Sequence, residues 1–151
     1  MNNEKDNVYD LVEDFYAHDE GWNTLLRQEY AEGFLRMEAW KGKKNSDLYR
    51  SWDNLTMLCL YLGSAETFLG DMNADDFIDC IAWCGRNISE FTPDYKNTQD
   101  FLETCDGLFK YLKGKNAISN DTVPGTAAEI LLQEGKMNII LPDGSFDEAK
   151  A

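Results

Sequence analysis

The spacing of apolar residues constrains this chain more than any other feature. From Ser46 to Leu62, the residues Leu48, Trp52, Leu55, Cys59 and Leu62 recur every three or four positions, which winds them onto one side of an α-helix. Four further blocks share the period. Residues 5–18 carry Val8, Leu11, Val12 and Phe15, and residues 23–40 carry Leu26, Tyr30, Phe34 and Met37. The block after Asn73 carries Phe77, Ile81, Cys84 and Ile88, and the block ending near Leu112 carries Phe101, Cys105, Leu108 and Leu112. Five such stripes must be buried against one another, which predicts a helical bundle.

Start and stop signals divide the blocks. Ser46 is placed to cap the third helix and Asn73 the fourth. The fifth has Thr92 as cap, Pro93 in the first helical position and Asp94 beside the positive end of the macrodipole. Beyond residue 115 the pattern changes. In "TVPGTAAEILLQEG", Thr126 and Glu129 have capping-box spacing ahead of a short apolar run closed by Gly135. "KMNIILPDGSF" reads as a strand, a Pro-Asp-Gly turn and the start of a return strand. The expected architecture is mainly α: a five-to-six-helix bundle over residues 1–115. A C-terminal extension over 116–151, a short helix plus a β-hairpin or extended arm, packs on the same domain. An exposed strand at Met137–Leu141 offers an edge for a second copy, hence an expected homodimer.

Length fits one core, and aromatics at 13% supply ample bulk to fill it. No stretch approaches the roughly 20 apolar residues needed to span a bilayer. The opening residues lack a basic and apolar leader, so the expected location is cytoplasmic, with no membrane partner. The charge is lopsided: 14 Lys and Arg against 28 Asp and Glu give a net of −14. The deficit recurs in every third of the chain. A field of this sign repels phosphate backbones, so free nucleic acid is a poor partner and a basic protein surface a good one.

The stretch "GDMNADDFIDCIAW" poses a choice between a calcium loop and a helix start. Asp71, Asn73, Asp75 and Asp79 fall at positions one, three, five and nine of a calcium loop. Positions six and twelve, which need a glycine for the turn and a bidentate glutamate, hold Asp76 and Ala82. A helix start explains each residue instead, with Asn73 as cap and Asp75 and Asp76 in the first turn.

Four cysteines, Cys59, Cys80, Cys84 and Cys105, are expected to be free thiols. Cys80 and Cys84 share one helix face at a spacing of four, so a four-thiolate metal cluster with Cys59 and Cys105 is the alternative to plain core filling. No cofactor is implied. His18 is the single histidine and has no nucleophile or second acid/base patterned around it. No phosphate loop, nucleophile elbow, zinc-protease helix or dinucleotide fingerprint occurs, so no enzyme activity is expected.

Candidate interaction residues are Asp71, Asp75, Asp76 and Asp79, together with Trp22 and Trp40 near helix ends, since exposed Trp anchors interfaces. Lys41, Lys43 and Lys44, with Arg36 and Arg50, form the concentrated positive patch and the candidate nucleic-acid contact.

From about residue 30 to 118, the order of features resembles the N-terminal core-binding, SAM-like domain of phage-type tyrosine recombinases. The resemblance rests on "LTMLCLYLG", then "LGDMNADDFIDCIAW", then "GLFKYLKGKNAIS", where that family has an aromatic-rich helix ending. It implies the helical architecture, with Lys41, Lys43, Lys44 and Arg50 in the DNA-facing role. It implies no recombinase activity, because the arginine, histidine and tyrosine cleavage set has no counterpart here. The expected function is therefore a non-catalytic, acidic protein-interaction module, in sharper form an inhibitor or nucleic-acid mimic docking on a basic surface. The alternatives are a DNA-associated accessory protein of phage or mobile-element origin and a thiolate metal-binding protein.

Overall fold

The computed structural model describes residues 7–89, 91–92 and 94–133. Among them are six α-helices: α1 Val8–His18, α2 Gln28–Trp40, α3 Asn45–Ala65, α4 Ala74–Asn87, α5 Tyr95–Gly114 and α6 Val123–Gln133. Single 3-10 turns stand at Glu20–Thr24 and Leu69–Asp71. The described residues carry no strand, and the hairpin or arm expected from Met137 onward lies outside them.

The third helix follows its stripe closely. Leu48, Trp52, Leu55, Cys59 and Leu62 are all buried along α3, which packs on α1, α2, α4 and α5. Around it, Phe34, Phe77, Phe101 and Phe109 are fully buried, with Phe77 and Phe109 edge to face at 5.3 Å. Each such side chain stabilises the fold by roughly 1.5–3 kcal/mol through area removed from water. α6 lies across α4 and α5, sealing them with Ala127 and Leu131. No helix of the described residues is long and apolar enough to cross a membrane.

Several local expectations are corrected. In α1 the buried stripe is Val8, Val12 and Tyr16, and Leu11 is 40% exposed. The Tyr16 hydroxyl donates to the Leu26 carbonyl, which ties the end of α1 to the segment before α2. The second helix begins at Gln28 and not at Asn23. Asp19 accepts the Gly21 amide and starts a 3-10 turn, and Asn23 Oδ1 accepts the Gln28 amide, so residues 20–27 form a corner. Ser46 is inside α3, whose N-cap is Lys44, with Asp47 accepting the Lys44 amide at 3.4 Å. The fifth helix is capped by Asp94, which accepts the Asn97 amide at 2.8 Å, in place of Thr92. Thr126 lies within α6, its hydroxyl donating to the Thr122 carbonyl, so the Thr126–Glu129 spacing is not a capping box.

Candidate interaction surfaces

The start of α4 is built locally. Asn73 Oδ1 accepts the Asp76 amide at 2.9 Å and Asp76 Oδ2 accepts the Asn73 amide at 2.9 Å. This reciprocal cap satisfies two otherwise free donors. Asp71, Asp75 and Asp79 are exposed and Asp76 is half-buried. Among the described residues, the Lys and Arg ion pairs engage Glu29, Glu38, Asp106 and Asp121, and none of the four aspartates. The Asp79 carboxyl is raised above the usual carboxylate range, first by lost solvation and then by Asp76 and Asp75, against which Arg86 pulls. Although the residue is exposed overall, its carboxyl is crowded. Among the described residues, no group of three or more His, Cys, Asp or Glu side chains is placed to hold a metal ion.

A second surface joins distant segments. Between α1, the Glu20–Thr24 turn and α3 lies an open cleft of about 410 Å³, lined by Leu11, Phe15, Trp22 and Trp52, with Asp14, His18 and Asp53 among them. Phe15 stands edge to face with Trp52 at 5.2 Å and tilted against Trp22 at 4.7 Å. Trp52 is 6% exposed and Trp22 is half-buried, so the rings form a wall whose edge meets solvent. His18 Nδ1 lies 2.8 Å from the Asp14 carbonyl oxygen and 3.7 Å from its carboxylate. Loss of solvation raises the Asp53 carboxyl above its ordinary range.

Asp53 also lines a neighbouring cleft of about 390 Å³ between α3 and α5, with Arg50, Asn54, Asn97 and Asp100. There Asn54, 4% exposed, donates to Asp100 Oδ2 at 3.0 Å and to Thr104 Oγ1 at 2.9 Å. Arg50 thus shares this cleft with Asp53 and Asp100.

That turn follows the end of α2. Trp40 is 88% exposed, and Gly42, at φ +106, makes a reversal that other residues rarely adopt. Lys43 Nζ lies 4.0 Å from Glu38 Oε1, and the Arg36 guanidinium sits 4.2 Å over the Tyr9 ring. Lys41 and Lys44 are exposed beside Trp40.

The four thiols lie in the core, each no more than 2% exposed. Burial pushes Cys59 up to about 12, and burial plus neighbouring thiols push Cys80 and Cys105 well up. Cys59, Cys80 and Cys105 thus hold their protons at pH 7, and all four side chains pack as small hydrophobes.

Trp22 and the α4 aspartates are legible from local pattern. Asp14, Phe15, Trp52 and Asp53 are not, because their grouping depends on how α1 and α3 pack, and periodicity places Phe15 and Trp52 simply in the core. The chain matches no family model, no curated protein and no solved structure with which it was compared.

Proposed function

We propose that the protein is a non-catalytic interaction module that docks through its carboxylates on a basic protein surface. In its sharper form, those carboxylates occupy the places where a nucleic-acid-binding partner expects phosphates. One observation carries the reading: Asp75, Asp76 and Asp79 crowd one capped helix end without a Lys or Arg ion pair among the described residues, in a chain of net −14. Crowded like charges raise one another's proton affinity, and a partner's cations relieve that repulsion. Charge of this sign also steers encounter with basic surfaces, an effect that salt screens.

The test compares lysine-rich, arginine-rich and glutamate-rich peptides across ionic strength, against the wild type and a D75N/D79N variant. The reading expects the basic peptides to bind, more weakly as salt rises and more weakly to the variant. Binding indifferent to salt, or preference for the acidic peptide, sinks it.

A second reading, a DNA-associated accessory protein, is favoured by the pairing of exposed Trp40 with Lys41 and Lys44. An exposed ring on which bases stack, beside cations for the backbone, is the usual combination for single strands. Retardation of duplex or single-stranded DNA at moderate salt, abolished by W40A, supports this reading; unretarded DNA removes it.

A further inference from the structure

We infer that the cleft between α1, the Glu20–Thr24 turn and α3 receives an arginine or lysine side chain of the basic partner. The stem of that side chain lies on Phe15, Trp22 and Trp52, and its charged head lies between Asp14 and Asp53. The inference rests on the docking function proposed above and names where one anchor of that docking sits.

The lining has two chemistries at once. Leu11, Phe15, Trp22 and Trp52 offer an apolar, π-rich wall, while Asp14 and Asp53 place two carboxylates at the same opening. A long side chain with an apolar stem and a cationic head matches both parts together, since such residues bury the stem and keep the head polar. Aromatic faces attract cations, Trp most strongly. A neutral or anionic ligand uses the wall and meets the carboxylates uncompensated. A hard metal ion requires a shell of oxygens that the rings cannot supply.

Two further features favour a cation. Among the described residues no Lys or Arg lines the cleft, and its one basic side chain is His18, 3.7 Å from the Asp14 carboxylate. Asp53 loses solvation without gaining an ion pair among the described residues. A charge docked there replaces the interactions that partial burial removes. Asp53 also borders the α3–α5 cleft, so a basic segment lying across α3 meets Asp14, Asp53 and Asp100 in succession.

The probes are an arginine–glycine peptide, a lysine–glycine peptide and a citrulline–glycine peptide, the last keeping shape without charge. The readout is the indole N–H signals of Trp22 and Trp52, with Trp40 and Trp83 as internal references, alongside binding affinity. The expected result is movement of the Trp22 and Trp52 signals with at least one cationic peptide and none with citrulline. D14N, D53N and W22L should each weaken binding by about threefold, the range of a single exposed ion pair or cation–π contact. Circular dichroism establishes that each variant is folded, and the wild-type signals decide the matter if W22L is not.

Salt-sensitive peptide binding that leaves both indole signals still and survives D14N and D53N overturns the cleft and keeps the docking function. Equal response to the citrulline peptide also overturns it, because charge is then irrelevant. Binding of none of the peptides overturns cleft and docking function together.

Discussion

The phenolic oxygen of Tyr111 stands where a β-carbon on Gly33 would go. A Cβ at Gly33 falls 1.9 Å from Tyr111 Oη and 2.9 Å from its Cζ. The opposite contact is tight but looser, with a Cβ at Gly107 3.2 Å from Phe34 Cε1. α2 and α5 therefore cross by exchanging parts: each supplies a glycine and an aromatic ring that covers the other's glycine. Phe34 and Tyr111 meet edge to face at 6.3 Å, and the Lys115 ammonium caps the Tyr111 ring at 5.5 Å.

Replacing Gly33 by alanine sets two effects against each other. Helix propensity favours alanine by about 1 kcal/mol, whereas forcing a methyl into a packed contact costs about 1–3 kcal/mol. At 1.9 Å the Tyr111 ring must move bodily, so the steric cost wins, and G33A should lose about 1 kcal/mol net in denaturant unfolding. With Y111L the clash is gone, and adding G33A should then be neutral or stabilising. A double-mutant cycle without coupling between the two positions contradicts the geometry.

Asn54 ties α3 to α5 by bonds to Asp100 and Thr104, whose hydroxyl also donates to the Asp100 carbonyl at 3.0 Å. N54A strips a donor from two partly buried acceptors and should cost about 1–3 kcal/mol. N54D is more damaging at neutral pH, because it sets a second carboxylate against Asp100. Like charge raises the new carboxyl's proton affinity in the folded state. The N54D deficit should therefore shrink as pH falls through that raised value, and the N54A deficit should not. Melting both variants between pH 4 and 7 (roughly the window in which carboxylates protonate) separates them.

What could be read from the chain beforehand divides along one physical line. Elements whose signals are local were legible. The α3 stripe runs from Leu48 to Leu62, about four turns, and Asn73 caps α4 with its own near neighbour Asp76. Signals that compete locally were resolved wrongly. Thr92 and Asp94 are both good caps two residues apart, and the outcome turns on which side chain meets the Asn97 amide while Asn97 Nδ2 holds the Thr92 carbonyl. The Tyr16 hydroxyl meets the carbonyl of Leu26, ten residues on, and the Trp22–Trp52 cleft depends on three separate elements. Nothing in a period of three or four encodes those meetings.

The buried thiols predict slow chemistry and a sensitivity to base. Cys59, Cys80 and Cys105 should resist alkylation at pH 7.5 in the native state and react fully in denaturant, since both thiolate fraction and access are lacking. Each has a folded pKa above its unfolded value, which is about 8.5, so the native state holds its protons longer. Their contribution to stability is complete below that unfolded value and is lost as pH rises through the folded one, at about 12 for Cys59. Stability should thus decline steadily above pH 9, and C59A should flatten part of that decline. Rapid native-state labelling of these residues contradicts their burial.

The start of α4 yields opposite predictions for two adjacent functions of one acidic segment. Asn73 and Asp76 hold the helix end, so N73A should cost about 1 kcal/mol, the usual loss on removing an N-cap. Asp79 is different: its carboxyl is raised by lost solvation and by Asp76 and Asp75, so keeping it ionised opposes folding. A raised carboxyl binds its proton more tightly in the native state, and stability falls as pH climbs from the unfolded pKa through the folded one. D79N should therefore stabilise the fold at pH 7, by about 0.5 kcal/mol after solvent screening, and the gain should vanish in acid. A calcium loop built from Asp71, Asn73, Asp75 and Asp79 demands the reverse, because each carboxylate then supports a bound ion and D79N weakens the fold whenever calcium is present. Thermal melts of wild type and D79N, with calcium and with a chelator, distinguish the two. The capped helix requires no calcium dependence and a more stable variant, whereas a calcium-dependent rise in the wild-type midpoint restores the loop.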